Sequence, residues 1–495
     1  MSAYDRLLEL YLDLRALGVA QSMLGWDRQV MMPTGGSQSR GEHQARLGSL
    51  EHRLLTSDEF RTTLEMAEAE GAADEVQAAN LRILRRRLDI QSKLPASLIE
   101  RKAKIGNATY ATWRTACPAG DFAAMVPGLT ELFDIARETS EFLGGGQHVY
   151  DPLINQFEEG CTFADADNMF RTLKPRLVEL IQRIAATDPI DDQPIAKDFD
   201  RPTLLELMRR TVAQVGFDMN AGRLDLAPNA FCTNIGHGDT RMTTRASNHL
   251  RGIFSSSLHE MGHALYDQGS PKEWALMPLD GQTSLALHES QSRFWENIVG
   301  RSRGFWTWFT PHLHAAFPET SSFNAEQLWR LINKVEPGFI RVGSDELTYN
   351  LHILIRFEIE VEILSRKLEV KDMPEAWNEK MRSYLGIVPP HAGLGCIQDV
   401  HWTRGSIGYF PTYSMGNMIG GRILRRLQAE FPNMDDDFAR GNFAGVLGWL
   451  QTNLYQKAQL KVPKEQILEV SGSPLETSAW LDYAEAKFSD VYALA

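Results

Sequence analysis

Apolar residues recur at helical spacing along most of this 495-residue chain, and this periodicity is what most limits its fold. Near the N-terminus, Leu7, Tyr11, Leu14 and Leu17 are three or four residues apart, so they lie on one face of a helix. The same spacing recurs in the segments 76–92, 165–186, 203–215, 326–335, 350–369, 417–430 and 476–494. We therefore predict a mainly α fold.

Strand-like sequence is scarce, and the best of it lies at 223–245, where short alternating runs are interrupted by Pro and Gly. This pattern predicts a small β-sheet directly before a helix at 248–268, which we expect to end at Gly269. The glycines at 144–146 and the Asp- and Pro-containing stretch 187–200 predict loops.

Composition limits the class of protein and its partners. Hydrophobic residues make up 43% and charged residues 23%, which is typical of a soluble globular protein. A chain of this length predicts a single domain over 1–495, or two helical lobes that flank a groove. The net charge of −13 argues against nucleic acid or an anionic membrane as the main partner, because both bind basic surfaces.

The N-terminal sequence MSAYDRLLELYLDLRAL has no basic region followed by an apolar core, so it predicts a first helix and no signal peptide. No apolar run approaches the roughly 20 residues that a membrane span requires. The four cysteines lie far apart and form no CxxC pair, which favours reduced thiols and a cytoplasmic location.

The sequence HEMGH at 259–263 predicts a metal site. His259 and His263 are four residues apart, about 40° around a helix and about 6 Å along it, so both imidazoles can reach one metal ion. Glu260 points to the side of this pair, where it can act on a water beside the metal. Gly262 costs about 1 kcal/mol within a helix, which indicates close approach of another backbone.

A tetrahedral zinc site needs a third protein ligand, and the segment 284–300 contains three candidates, His288, Glu289 and Glu296. His288 and Glu289 are about 100° apart on a helix, so only one of them can face the metal. Glu296 shares a face with Glu289 but lies two turns further on. We predict Glu289 as the third ligand, while a structural role for it is the alternative.

Several further motifs accompany HEMGH and Glu289. They are DTRMT at 239–243, IRFE at 355–358 and GCIQDVHW at 395–402, with weaker matches at Trp26-Asp27, Met32-Pro33, Tyr150-Asp151 and YFPTY at 409–413. Together they span almost the whole chain, and in this order the chain resembles the carboxypeptidase Taq family of metallocarboxypeptidases. One departure is Gly343-Ser344, where the family has an acidic residue followed by alanine.

The resemblance implies a mainly α, zincin-type peptidase with a small β-sheet beside the active-site helix and a deep substrate groove. It implies Zn²⁺ as the cofactor, with Co²⁺ or Mn²⁺ as possible substitutes, and a homodimer. The implied activity is removal of C-terminal residues from peptides with broad specificity. The departure at Gly343-Ser344 concerns the wall of the groove and does not affect the metal chemistry.

Peptide hydrolysis at such a site needs a proton acceptor and donors to the oxyanion. We predict Glu260 as the general base. His401, Tyr409 and Tyr413 are the candidate oxyanion donors, because an imidazole N–H and phenol hydroxyls can each donate a hydrogen bond. A packed core histidine and loop aromatic residues are the alternative interpretation of these three.

A carboxypeptidase must also bind the terminal carboxylate of its substrate, for which arginine is best suited. We predict Arg356 for this role, with Arg241 as second candidate unless it pairs with Asp239. Gln398 and Asp399 could orient either a substrate amide or a histidine N–H.

Two other functions remain open from the sequence. An oligopeptidase could cut internal bonds of short peptides with the same metal helix. A helical binding or scaffold protein would require that HEMGH bind no metal. An aminopeptidase is disfavoured, because no GxMEN-like acidic segment precedes the metal helix to bind a free amine.

Overall fold

The computed structural model describes residues 2–494 and confirms a mainly α fold with one small β-sheet. The α-helices, labelled α1 to α21 in chain order, are Ala3–Val30, Ser37–Leu55, Asp58–Glu70, Glu75–Lys93, Ala96–Ala119, Val126–Leu143, Asp151–Phe157, Phe163–Ala185, Gln193–Ala196, Arg201–Val215, Leu250–Gln268, Leu285–Arg293, Arg303–Ala316, Ala325–Ile332, Thr348–Leu364, Met373–Leu385, Pro411–Glu430, Met434–Ala439, Ala444–Asn453, Pro463–Ser471 and Ser478–Tyr492. A π-helical segment, Phe294–Val299, follows α12.

Short 3₁₀ turns connect many of these helices. They are Thr34–Gly36, Ala123–Met125, Lys272–Trp274, Pro318–Thr320, Arg341–Gly343, Val370–Asp372, Ala392–Leu394, Trp402–Arg404 and Tyr455–Lys457. None of the helices in residues 2–494 is both long and apolar enough to cross a membrane.

Local sequence explains where several helices begin. Ser2 and Asp5 form a reciprocal capping box at the start of α1, and Thr162 and Asp165 form another at the start of α8. The hydroxyl of Ser284 accepts the N–H of Leu287 and so starts α12. These side chains bond N–H groups that have no partner within the helix.

The predicted helices all occur, and three of them differ by three or more residues at one end; one is the helix predicted at 326–335, which ends at Ile332. The helix predicted at 350–369 ends at Leu364, and the one predicted at 417–430 begins six residues earlier, at Pro411. Proline suits the first turn of a helix because its missing N–H is not needed there. A single helical turn, Gln193–Ala196, also forms inside the predicted loop 187–200, with Pro194 in its first turn.

The sheet contains β1 (Gly222–Ala227), β2 (Cys232–Gly236) and β3 (Asp239–Arg245) in the order β1-β3-β2. β1 runs parallel and β2 antiparallel to the central strand β3. The sheet lies against α11 through Thr244, whose hydroxyl bonds the carbonyl of Ile253 and accepts from Ser257. This confirms the predicted sheet beside the HEMGH helix.

The buried apolar residues of the described chain form one large core, a smaller core and two minor clusters around Leu279 and Leu132. The large core extends from Ala116 to Tyr492 and contains the apolar faces of α11, α12 and α17. The smaller core lies among α1 to α4 and includes Leu7, Phe60, Leu64 and Leu84. The four cysteines are free, as the sequence predicted.

Candidate metal centre

Helices α11 and α12 bring two histidines and a glutamate together. The Nε2 atoms of His259 and His263 lie 3.7 Å and 3.5 Å from Oε2 of Glu289. One ligand atom from each of the three residues falls within 4.8 Å of the other two. The i, i+4 spacing on α11 therefore places both imidazoles on one side of the helix, as helix geometry predicts. The third side chain, Glu289, comes from α12 and lies 26 residues after His263 in the chain.

Close backbone packing explains how α12 reaches α11. A methyl group built on Gly262 would lie 2.4 Å from the carbonyl oxygen of Gln291, so only glycine allows this approach. On the other side of α12, a methyl group on Gly416 of α17 would lie 2.8 Å from Cγ of Glu289. Glu289 is thus held between two helices that both approach it through glycine.

The partners of these residues fit a metal bound by two imidazoles and one carboxylate. Nδ1 of His259 lies 3.0 Å from Oε2 of Glu296, so this N–H donates to the carboxylate and leaves Nε2 free. Arg293 donates to Oε1 of Glu289 at 2.8 Å, which leaves Oε2 facing the histidines. A pair of histidines with one glutamate is a donor set found in catalytic zinc sites.

The protonation states of His263 and Glu289 fit metal binding, whereas Glu289 and Glu296 outweigh burial and raise the pKa of His259, so a metal would have to displace a proton there. Burial lowers the pKa of His263 to about 3, so its ring is neutral at pH 7, which is the form that binds metals. Burial alone would raise the pKa of Glu289, but the charges of Arg293 and His259 outweigh it and hold that pKa well below its usual range. Glu289 is therefore an anion.

The geometry separates the three candidates for the third ligand. The ring of His288 packs against that of His263, with 4.1 Å between the ring centroids, but its Nε2 is directed to Asp267 and lies 3.5 Å from Oδ1 of that residue. Glu296 lies on the Nδ1 side of His259, where it also accepts hydrogen bonds from Arg293 and Arg301. Only Glu289 faces both Nε2 atoms.

Glu260 is buried, with 6% of its surface exposed, directly beside the pair on α11. Burial raises its pKa to about 7, against the opposing effect of the neighbouring His259. A carboxyl group with a pKa near neutrality can both accept and release a proton at physiological pH.

His401, Tyr409 and Tyr413 lie together beside the three candidate ligands. Nε2 of His401 is 3.3 Å from the hydroxyl of Tyr413, and the rings of Tyr409 and Tyr413 are 5.2 Å apart. Burial, with a further contribution from the charge of Glu289, raises the pKa of Tyr409 to about 12. Burial lowers the pKa of His401 to about 4. Tyr409 is therefore a protonated donor at pH 7, and His401 is neutral.

A buried carboxylate that the sequence did not identify holds this group in place. Glu360 accepts hydrogen bonds from the Tyr150 hydroxyl at 2.7 Å, the Trp402 indole at 2.7 Å and the Gly408 N–H at 3.1 Å. Trp402 and Gly408 adjoin His401 and Tyr409 in the chain. Glu360 lies two residues beyond the IRFE motif, and that position is the only signal the sequence offered.

Arg356, the residue predicted to bind the terminal carboxylate, lies in an internal ion pair. Its side chain is 1% exposed, and its guanidinium donates to Oδ2 of Asp399 at 2.6 Å and to the carbonyl of His352 at 2.6 Å. This burial and pairing hold the Arg356 side chain inside the core. Arg356 instead braces Asp399, which the sequence could not show because the two are 43 residues apart.

Gln398 and Arg241 also have internal partners. The Gln398 amide donates to the carbonyls of Phe339 and Gly395 and accepts the N–H of Arg341, so it braces the backbone and is not free for a substrate amide. Arg241 bonds Asp239 through two nitrogens at 2.8 Å and lies 4.5 Å from the ring of Trp26. The structural pair with Asp239 is thus the arrangement that forms.

Arg341 is the cation that sequence reasoning missed. It donates to Asp399 at 2.7 Å and to the hydroxyl of Tyr349 at 3.0 Å, and its guanidinium lies 5.1 Å from the Tyr413 ring. Arg341 and Arg356 share one carboxylate, so this buried group carries a net positive charge. In the sequence, the only indication of this role was the pair Gln398-Asp399 in GCIQDVHW. A buried amide and carboxylate need hydrogen-bond partners, and the motif itself contains none.

The chain is similar to known metallopeptidases over nearly its whole length. The profile of the family described as "Carboxypeptidase Taq (M32) metallopeptidase" matches residues 6–488. The chain is 32% identical to thermostable carboxypeptidase 1 of Pyrococcus furiosus over 98% of both chains, and 34% identical to that of Thermus thermophilus over 99% of both. The crystal structure of an M32 carboxypeptidase from Deinococcus radiodurans matches with a TM-score of 0.97, at 32% identity over 99% of both chains.

Proposed function

This chain belongs to the carboxypeptidase Taq (M32) family of metallopeptidases, and on that premise we propose that it is a zinc carboxypeptidase of broad specificity. The observation that carries the proposal is the convergence of His259, His263 and Glu289, with the buried carboxyl group of Glu260 beside them. Zinc is favoured by this donor set, and Co²⁺ or Mn²⁺ are the substitutes we expect.

A divalent metal held by these three residues would polarise the scissile carbonyl and make a water acidic enough to attack it. Glu260 takes the proton from the attacking water at its carboxylate and passes it to the leaving amine. Tyr409, Tyr413 and the ring of His401 donate hydrogen bonds to the developing oxyanion. Glu296 keeps the N–H of His259 on the far side of the ring.

We further propose that Arg341, in place of Arg356, recognises the terminal carboxylate of the peptide. Arg341 borders Tyr413 and Tyr349, and the positive charge it shares with Arg356 is only partly balanced by Asp399. Arg341→Lys removes the planar fork and keeps the charge, so it should raise KM for free-acid peptides more than it lowers kcat. Arg356→Lys is the matched control, and the melting temperature of both variants should be recorded.

The test of the main proposal is the product pattern from one defined peptide, followed by mass spectrometry. Single residues lost in sequence from the C-terminus support a carboxypeptidase, while internal fragments would mean an oligopeptidase. The same peptide with an amidated C-terminus should be cut far more slowly. Equal cleavage of both forms would contradict carboxylate recognition.

Glu260→Gln tests the chemistry separately from metal binding. The amide is nearly the same size but cannot accept the water proton, so kcat should fall by about 10²–10⁴-fold. The metal content of the purified variant should equal that of the unmodified protein, and it also identifies the native metal. A variant that loses both metal and activity would make Glu260 a structural residue.

Homodimer formation and a cytoplasmic location remain proposals that rest on the family and on free thiols. Light scattering after size-exclusion chromatography measures the first directly. A monomer at micromolar concentration would contradict the homodimer.

A further inference from the structure

A cavity of about 680 Å³ lies between α8, α17, α20 and the segment that leads into α21. Its wall is largely apolar, and its members include Met169, Ala286, Met415, Ile419, Ile467 and Leu475. The volume lies within the range of small-molecule sites. None of the residues that we assign to catalysis, substrate binding or metal binding is among the described residues that line it.

One buried carboxyl group in this wall has an unused acceptor. Glu158 is 4% exposed, and its Oε2 accepts the N–H of Ala286 at 3.0 Å. Its Oε1 has no hydrogen-bond partner of ordinary geometry among residues 2–494, although the side chain of Ser284 interacts with the carboxyl group and lowers its pKa. The nearby Arg86 pairs instead with Glu159, at 3.7 Å. An unpartnered carboxyl oxygen in an apolar setting is costly unless a donor binds it.

The charges around the cavity favour a cationic ligand. Its lining contains the acidic residues Glu158, Glu159, Asp165, Glu465 and Glu476, and one basic residue, Lys464. Three of these carboxylates are already paired, Asp165 with Lys464 at 3.0 Å, Glu159 with Arg82 at 3.2 Å and Glu476 with Arg422 at 2.7 Å. Glu158 and Glu465 form no ion pair among residues 2–494 and supply the unbalanced negative charge. Burial raises the pKa of Glu158 to about 7, so a bound cation would stabilise its charged form.

We propose that this cavity binds a primary amine with an apolar body, with the ammonium group at Glu158 and the body among Met169, Ile419 and Leu475. An ammonium group supplies the donor that Oε1 lacks and matches the acidic lining. An apolar body of suitable length would fill the wall that the methionine and aliphatic side chains form.

The cavity also contacts the helix that carries Glu289, so its occupancy should be sensed at the candidate metal centre. Ala286, which donates to Glu158, lies three residues before Glu289 on α12. Met415 lines the cavity and precedes Gly416, which packs against Glu289. This coupling rests on the proposed function of Glu289, whereas the binding itself does not.

The binding experiment is calorimetry with 4-phenylbutylamine on the full chain, with 4-phenyl-1-butanol as the uncharged ligand. The amine should bind at one saturable site, at least about 10-fold more tightly than the alcohol. Glu158→Gln should remove that advantage and leave alcohol binding unchanged, whereas Glu465→Gln should change amine affinity less than about threefold. Leu475→Trp should block both ligands by filling the cavity.

Three results would overturn the proposal: no saturable amine binding, equal affinity for amine and alcohol, or amine binding that survives Leu475→Trp. Two of these concern the unmodified protein, so they decide the question even if Glu158→Gln does not fold. The coupling is measured by the rate of metal loss to a chelator, which the amine should change by about threefold or more. An unchanged rate would contradict the coupling alone, and lack of peptidase activity would leave the binding result intact.

Discussion

The candidate metal centre and the first four helices are built on different principles. In α12, six of nine residues are buried, among them Glu289, Ser290, Gln291 and Ser292, and the helix touches its neighbours through glycines. In α2, only Leu55 of 19 residues is buried. The metal centre combines buried charges with backbone contact, whereas α1 to α4 combine one apolar layer with ion pairs at the surface.

The two regions are joined by polar contacts and by a small apolar cluster in which Ala79 and Ile83 of α4 pack with Leu279. Arg15 bonds Asp280 at 3.0 Å, and Asn80 accepts the N–H of Leu279. Trp26 adds an aromatic contact by lying under Arg223 and Arg241 of the sheet. Because their apolar cores are separate, we expect α1 to α4 to open with a lower free energy than the region around α11 and α12.

The largest expected effect comes from a substitution that disrupts the smaller core. Leu64→Ala removes a side chain with 0% exposure from α3 and should cost about 2–5 kcal/mol locally. Hydrogen exchange should show loss of protection in α1 to α4, while α11 and α12 stay protected and metal stays bound. Leu258→Ala, also fully buried but on α11, is the control that should weaken the metal centre. Uniform loss of protection in the Leu64 variant would mean that the two cores unfold together.

A second variant tests the backbone contact at the metal centre. Gly262→Ala places a methyl group 2.4 Å from the Gln291 carbonyl oxygen and 2.6 Å from Cα of Ser292. Because neither is a flexible side-chain end, α12 must shift, at a cost of about 1–3 kcal/mol or more. Urea unfolding and metal content measure the two consequences. Unchanged stability would show that α11 and α12 are not in such close contact.

A third variant compares buried and exposed charges. Glu296→Gln removes the anion that fixes the His259 N–H and faces Arg293 and Arg301, so metal affinity should fall by about 10–100-fold. Competition with a chelator measures it. The matched change Glu59→Gln breaks the exposed pair with Arg6 and should alter stability by at most about 1 kcal/mol. Equal metal affinity in the Glu296 variant would remove its proposed role.

The smallest expected effect has the opposite sign. Gly41 lies within α2, and a methyl group there would meet nothing within 4 Å. Gly41→Ala should therefore raise the free energy of unfolding by about 0.5–1 kcal/mol, because alanine loses less backbone entropy in a helix. Urea unfolding beside the Gly262 variant gives a direct comparison of the same substitution in the two regions. Destabilisation of the Gly41 variant would mean that α2 packs more tightly than its exposure indicates.

Much of this protein followed from local sequence. The helices, the small sheet, the convergence of His259 and His263 and the close approach at Gly262 all depend on spacing within a few turns, which helix and strand geometry determines. Glu289, and not His288, is directed at the Nε2 atom of His263, because adjacent residues on a helix cannot face the same way. The family resemblance was confirmed over nearly the whole chain.

The partners of the arginines were decided only by tertiary structure. Arg356 and Arg241 have the chemistry to bind a substrate carboxylate. In the folded chain, however, Arg356 pairs with Asp399 and Arg241 pairs with Asp239. Glu360 and Glu158 likewise accept hydrogen bonds from distant parts of the chain. The donors are the N–H groups of Gly408, 48 residues from Glu360, and of Ala286, 128 residues from Glu158. Periodicity reports which face of an element is buried, whereas the pairing of buried charges depends on which distant segments meet in the core.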